Sequence, residues 1–195
     1  SLRNHTLAMG GKVEQQLTTA LDALSTMDSS EAELIVRRDS EINQMEMAID
    51  DDCATILARR QPTASDLRLV IAIIKVNRDL ERIGDEVVKV AKQILQMSED
   101  SRSPSNFVEL RHIGAMVGTM LRQALDAFAR LDVNQAVTVV KGDQEVDKAY
   151  GSAMRSLVTF MVEDPRNIGA ILNELWALRS LERIGDHACN IAEHV

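Results

Sequence analysis

Aromatic side chains are scarce in this 195-residue chain, which has one Trp, one Tyr and three Phe. Strands draw much of their stability from aromatic and β-branched neighbours on a pleated surface, so a sheet protein is a poor fit. Proline is scarcer than a loop-rich fold would need, with three in all, at 62, 104 and 165. Cysteine is limited to Cys53 and Cys189, far apart and without a CxxC pair, which excludes a disulfide framework and a thiolate metal site. Both sit in apolar helical stretches, as buried thiols of a reducing compartment do. The longest apolar run, Leu69 to Ile74, stops at Lys75 and falls far short of the roughly 20 residues that a membrane span requires. No signal-peptide pattern opens the chain. No Lys/Arg block is present and the net charge is -8, which argues against nucleic acid as a partner. No Gly-rich phosphate cradle and no nucleophile-base constellation can be found. These absences predict a soluble, cytoplasmic, all-helical protein.

What the chain does have is abundant Leu, Ile, Val, Ala and Met, and it has them twice over. The hexapeptide LERIGD is read at Leu80 to Asp85 and again at Leu181 to Asp186. A shift of 104 aligns Ala20 with Ala124, Asp28 with Asp132 and Asp39 with Asp143; the shift is 103 at Pro62 and Pro165 and 101 at the hexapeptide. A period of about 100 is domain-sized, too long for a solenoid repeat. The expected architecture is all-α: two tandem three-helix bundles, six long helices related by internal duplication, with the first unit at residues 1–101 and the second at 102–195.

Start signals support the helices. Ser30 with Glu33 and Asp132 with Gln135 have capping-box spacing, and Thr63 with Asp66 resembles one. Pro104 after Ser103 and Pro165 after Asp164 sit where a first helical turn tolerates proline. In the third helix Leu69, Ile73, Val76, Leu80, Ile83, Val87, Val90, Ile94 and Met97 recur with gaps of four and three, an unbroken heptad seam. Met9, Met45, Met47, Met116 and Met120 read as core filler.

Against that seam Glu81 and Asp85 fall on the outward side, one turn apart. Like charges at this spacing cost a few tenths of a kcal/mol, and Gly84 between them costs about 1 kcal/mol relative to Ala. Glu182, Gly185 and Asp186 repeat the arrangement. The preceding helix carries a second pair, Asp39 and Asn43 in the first unit and Asp143 and Asp147 in the second. In an antiparallel hairpin about Pro62, Glu41 and Ile83 are equally distant from the turn, so the two pairs meet at one level, and Pro165 does the same in the second unit. The sets Asp39, Asn43, Glu81, Asp85 and Asp143, Asp147, Glu182, Asp186 bring formal charges of -3 and -4. Oxygen donors without thiolate suit hard or borderline cations such as Fe(III), Mn(II) or Mg(II).

Two plainer readings stand beside this one. Arg78 and Arg179 precede the Glu by three residues, and Arg82 and Arg183 precede the Asp by three, so intrahelical ion pairs could neutralise the stripe in a purely structural bundle. Glycine could simply admit a neighbouring helix. A carboxylate-bridged metalloenzyme is the catalytic alternative. Glu109 and His112 form one Glu-x-x-His element, but a di-iron bundle needs two. His187 and His194 share a helix face, and a polar surface role is expected of them.

The duplicated LERIGD, the motifs RRDSEIN and KGDQEVD, and the turn ARRQPTASDLRLV resemble the PhoU family of bacterial phosphate-signalling regulators across essentially all 195 residues. The resemblance implies two three-helix bundles whose repeated acidic elements bind multinuclear iron clusters or zinc. It makes Asp39, Glu81, Asp85, Asp143, Asp147, Glu182 and Asp186 the candidate ligands, with Asn43 departing from the acidic pattern. It further implies a homodimer that links the ATPase subunit of the phosphate ABC transporter to a sensor histidine kinase and holds the phosphate-starvation response off when phosphate is plentiful.

Overall fold

A computed structural model of the chain describes residues 1–99 and 107–195. It comprises α1 (Leu2–Thr26), α2 (Ser29–Arg37), α3 (Asp39–Arg60), α4 (Ala64–Glu99), α5 (Val108–Arg130), α6 (Val133–Glu163) and α7 (Ile168–Glu193), with a 3-10 turn at Pro165–Asn167. No strand occurs among the described residues. The unit boundary expected after residue 101 and the helix start expected at Pro104 lie outside the described residues.

The duplication reappears in the turns. α1 ends on Met27 (φ 52) and α5 on Leu131 (φ 54), both left-handed, and the next residue in each case is an Asp that caps the following helix. Asp28 Oδ1 accepts from the Ser30 and Glu31 N–H groups at 2.9 and 3.3 Å, and Asp132 Oδ1 accepts from Gln135 N–H at 3.0 Å. The cap expected of Ser30 is therefore made by Asp28, whose carboxylate suits the positive end of the helix better than a hydroxyl does. Asp164 accepts from Arg166 N–H at 3.1 Å, with Pro165 in the first turn position, as expected. At Thr63 the backbone carbonyl accepts from Asp66 N–H at 3.1 Å.

One expected long helix is two. The first unit's second helix breaks at Arg38 (φ -91, ψ 7), giving α2 and α3, whereas its counterpart α6 runs unbroken through Gly142. Arg38 N–H is shared between the carbonyls of Leu34 and Ile35 at 3.1 and 3.2 Å, so the last turn tightens without any proline or glycine.

The heptad seam of α4 is buried from Ile73 to Met97. Leu69 is the exception at 36% exposure: it stands next to the Pro62 turn and lines an open cleft with Ile56, Pro62 and Asp66. Met9 and Met120 are core residues and Met45 and Met116 pack against the core, but Met47 is 64% exposed. Cys53 and Cys189 are buried free thiols. The first half packs α1 and α4 with α2 and α3, the second packs α5, α6 and α7, and the halves join where α4 packs along α7 and α1 along α5.

Candidate metal centre

α6 and α7 double back around the Asp164–Asn167 turn, and this brings their acidic residues abreast. Asp143 and Asp147 on α6 and Asp186 on α7 each offer a carboxylate oxygen, and these oxygens lie within 4.8 Å of one another. Asp143 and Asp186 are half-buried, and Asp147 is exposed. Glu182 lies one helical turn before Asp186. Burial raises Glu182 to about 7, followed by the charge of Asp186, a hydrogen bond to it, and the charges of Asp147 and Asp143. Burial is likewise the largest cause raising Asp143, followed by Asp147 and Asp186. Asp186 is raised too, by burial above all, although its hydrogen bond with Glu182 and the charges of His187 and Arg183 work the other way. The raised Asp143, Glu182 and Asp186 favour a protonated or a cation-bound state over full ionisation.

The ion pairs that could have neutralised the stripe are not formed. Among the described residues no Arg, Lys or His nitrogen lies within 4.0 Å of a carboxylate of Asp143, Asp147, Glu182 or Asp186; Arg183 instead reaches Glu86 across the seam at 3.5 Å. Asp143 Oδ1 is buried and has no hydrogen-bond partner. An orphaned carboxylate oxygen beside two others is what a hard, oxygen-seeking cation requires, so the residues present fit such an ion.

The first half is built differently. Glu81 and Asp85 are half-buried on α4, and Glu81 is raised by burial, then by Asp85 and, more weakly, by Glu46 on α3, with Arg82 opposing. Asp39 is the first residue of α3 and Asn43 is exposed. Among the described residues the second-half trio is the one group of three such ligating side chains. Sequence reasoning missed Glu46, which is itself raised by burial and by Asp50. Its place three residues after Asn43, on the same helix face, is the signal that could have found it.

Glycine does admit a neighbouring helix in the first half. A Cβ on Gly84 would meet Ile42 Cγ2 at 3.1 Å, tighter than a comfortable contact, whereas a Cβ on Gly185 would meet Val117 and Val146 at an ordinary 3.5 and 3.6 Å. His187 is not a surface residue: its Nδ1 lies 3.0 Å from Asp79 Oδ1, across the seam between the halves. Glu109 is half-buried and His112 exposed on α5.

The sequence model of the PhoU domain matches residues 6–94 and again 110–195. The chain belongs to the PhoU family. It is 56% identical over 194 residues to the phosphate-specific transport system accessory protein PhoU homolog of Pseudomonas aeruginosa, covering 100% of this chain and 80% of that one. It is 44% identical over 195 residues to the phosphate-specific transport system accessory protein PhoU of Escherichia coli, with 100% and 80% covered. The crystal structure of PhoU from Pseudomonas aeruginosa superposes with a TM-score of 0.97 at 56% identity, covering 99% of this chain and 92% of that one. The phosphate transport system regulatory protein PhoU from Streptococcus pneumoniae superposes with a TM-score of 0.90 at 33% identity, covering 99% and 90%. The all-helical, duplicated architecture expected of this family is the one observed, and among the described residues no helix is long and apolar enough to cross a membrane.

Proposed function

We propose that this chain is a negative regulator of the phosphate-starvation response, a cytoplasmic adaptor between the ATPase subunit of the phosphate transporter and a sensor histidine kinase, working as a homodimer and not as an enzyme. The observation that carries the reading is the match over the whole chain to proteins named as accessory to phosphate-specific transport. The acidic surface supports a binding role, since Asp147 is exposed while Asp143, Glu182 and Asp186 beside it are half-buried. Deleting the gene should make alkaline phosphatase expression constitutive in high phosphate, and restoring this chain should repress it. A deletion strain that still represses normally would refute the regulatory role.

The acidic centre of the second half is read as the metal site of this protein, holding iron or zinc through Asp143, Asp147, Glu182 and Asp186. Asp39, Asn43, Glu81 and Asp85 form the weaker counterpart. A bound cation supplies positive charge there, which would neutralise the carboxylates and tie α6 to α7. Elemental analysis of purified protein should find the metal, and the paired change Asp143→Asn and Asp147→Asn should remove it with helicity intact. Unchanged metal content would take these residues out of the site.

A further inference from the structure

The shift of 101 that relates the two hexapeptides also relates the two sides of the α4/α7 seam, so each residue lining one side has a counterpart lining the other. On one side Asp79, only 7% exposed, takes Nδ1 of His187 at 3.0 Å and the Asn190 side-chain amide at 3.3 Å, with His194 Nε2 at 3.8 Å. The counterparts of Asp79, His187, Asn190 and His194 are Ser180, Glu86, Lys89 and Gln93. Across the seam, then, the position that should hold a carboxylate holds a serine, 6% exposed. Around it Lys89, Gln93, Trp176, Arg179 and Arg183 line an open cleft of about 430 Å³.

Charge in this cleft is unbalanced. Glu86, 6% exposed and lining the neighbouring cleft, takes Lys89 Nζ at 2.8 Å and Arg183 at 3.5 Å. Arg179 has no carboxylate oxygen within 4.0 Å among the described residues. Lys89, Arg179 and Arg183 line this cleft and no carboxylate does; Lys89 and Arg183 also border a neighbouring cleft with Asp85, Glu86 and Asp186, so Arg179 is the cation left without a carboxylate partner. An anion entering this cleft would meet three cationic side chains and no carboxylate on its lining, which favours a dianion over a singly charged group. Guanidinium groups bind phosphoryl oxygens through paired, charge-assisted hydrogen bonds. The Trp176 ring, 56% exposed, offers a flat apolar wall for an attached organic group.

We propose that this cleft binds a phosphoryl dianion, free or carried on a small molecule, in the place that the Asp79 carboxylate fills on the other side of the seam. The cleft shares no residue with the acidic centre, although the charge of Arg183 also acts on Asp186, and its existence does not depend on the regulatory role. Trp176 is the only tryptophan in the chain, so its fluorescence reports the cleft directly. The full chain is titrated with inorganic phosphate and, separately, with adenosine monophosphate, against chloride at matched ionic strength. A saturable change with phosphate assigns the site to the free anion. Binding of the monophosphate about tenfold tighter than phosphate assigns it to an ester that uses the Trp176 wall. Arg179→Ala, at an exposed position, should weaken binding about tenfold. Ser180→Asp, which restores the missing carboxylate, should abolish binding with the helical circular dichroism kept. Absence of a saturable change with both probes, or wild-type affinity in Arg179→Ala, overturns the proposal.

Discussion

The two halves of the molecule carry the same hexapeptide on the same helix and yet assemble different acidic sites. In the second half α6 is unbroken through Gly142 and presents two aspartates one turn apart to Asp186. In the first half the corresponding helix breaks at Arg38, so Asp39 becomes the first residue of a new helix, and the second aspartate is replaced by Asn43. The repeated helix is thus only half of each site. What it can hold is decided by the rod that faces it, and one kink with one neutral side chain separates a converging carboxylate trio from a looser pair supplemented by Glu46.

The largest expected effect lies at the seam, where Asp79 and His187 have Ser180 and Glu86 as counterparts. His187→Ala removes the nearest partner of Asp79 and should destabilise the fold by about 2–3 kcal/mol, because a buried carboxylate is left under-paired; Glu86→Ala on the counterpart position should cost less, since Lys89 and Arg183 are half-exposed and rehydrate. Chemical denaturation measures both. Next come the two hexapeptide glycines. Gly84→Ala presses on Ile42 and should cost about 1 kcal/mol net of helix propensity, whereas Gly185→Ala should be neutral or stabilise by up to about 1 kcal/mol. Equal effects would show that the helix approach is the same in both halves.

Metal-free protein should also respond to pH through Glu182. Its folded value of about 7 lies above the ordinary 4.5, so protonation favours the fold: the contribution is full below 4.5 and is lost as pH rises through about 7. Thermal melts of chelated protein should therefore give a higher Tm at acid pH than at alkaline pH, and Glu182→Gln should flatten the difference. A Glu182→Gln curve that still tracks the wild type across this range would remove Glu182 as its source. The last comparison concerns the left-handed turn residues. Leu131→Gly should stabilise by about 1 kcal/mol, since glycine carries no Cβ penalty at φ 54, read as a small rise in Tm.

Much of this was legible before any coordinates. The gaps of four and three in α4 located its buried seam, and equal distances from Pro62 and Pro165 located the level at which acidic pairs could meet. The aligned aspartates at 28 and 132 marked the turns, though the capping role of Asp28 was hidden by the stronger-looking Ser30 and Glu33. Other features depend on partners that no local pattern encodes. Leu69 continues the heptad rhythm, but the bundle does not cover it so close to the turn. Arg38 interrupts a helix with neither proline nor glycine to announce it. His187 looks like a surface residue along its own helix and becomes a half-buried partner only because Asp79, from the other half, is placed beside it.

That cross-seam pair has a consequence for how the molecule came to be a single polypeptide. The counterpart of His187 is Glu86, so two identical first halves docked in this arrangement would set Asp79 against Glu86, acid facing acid away from water. The duplicates have become complementary strangers: each now needs the other, and a self-paired half could no longer substitute for the whole.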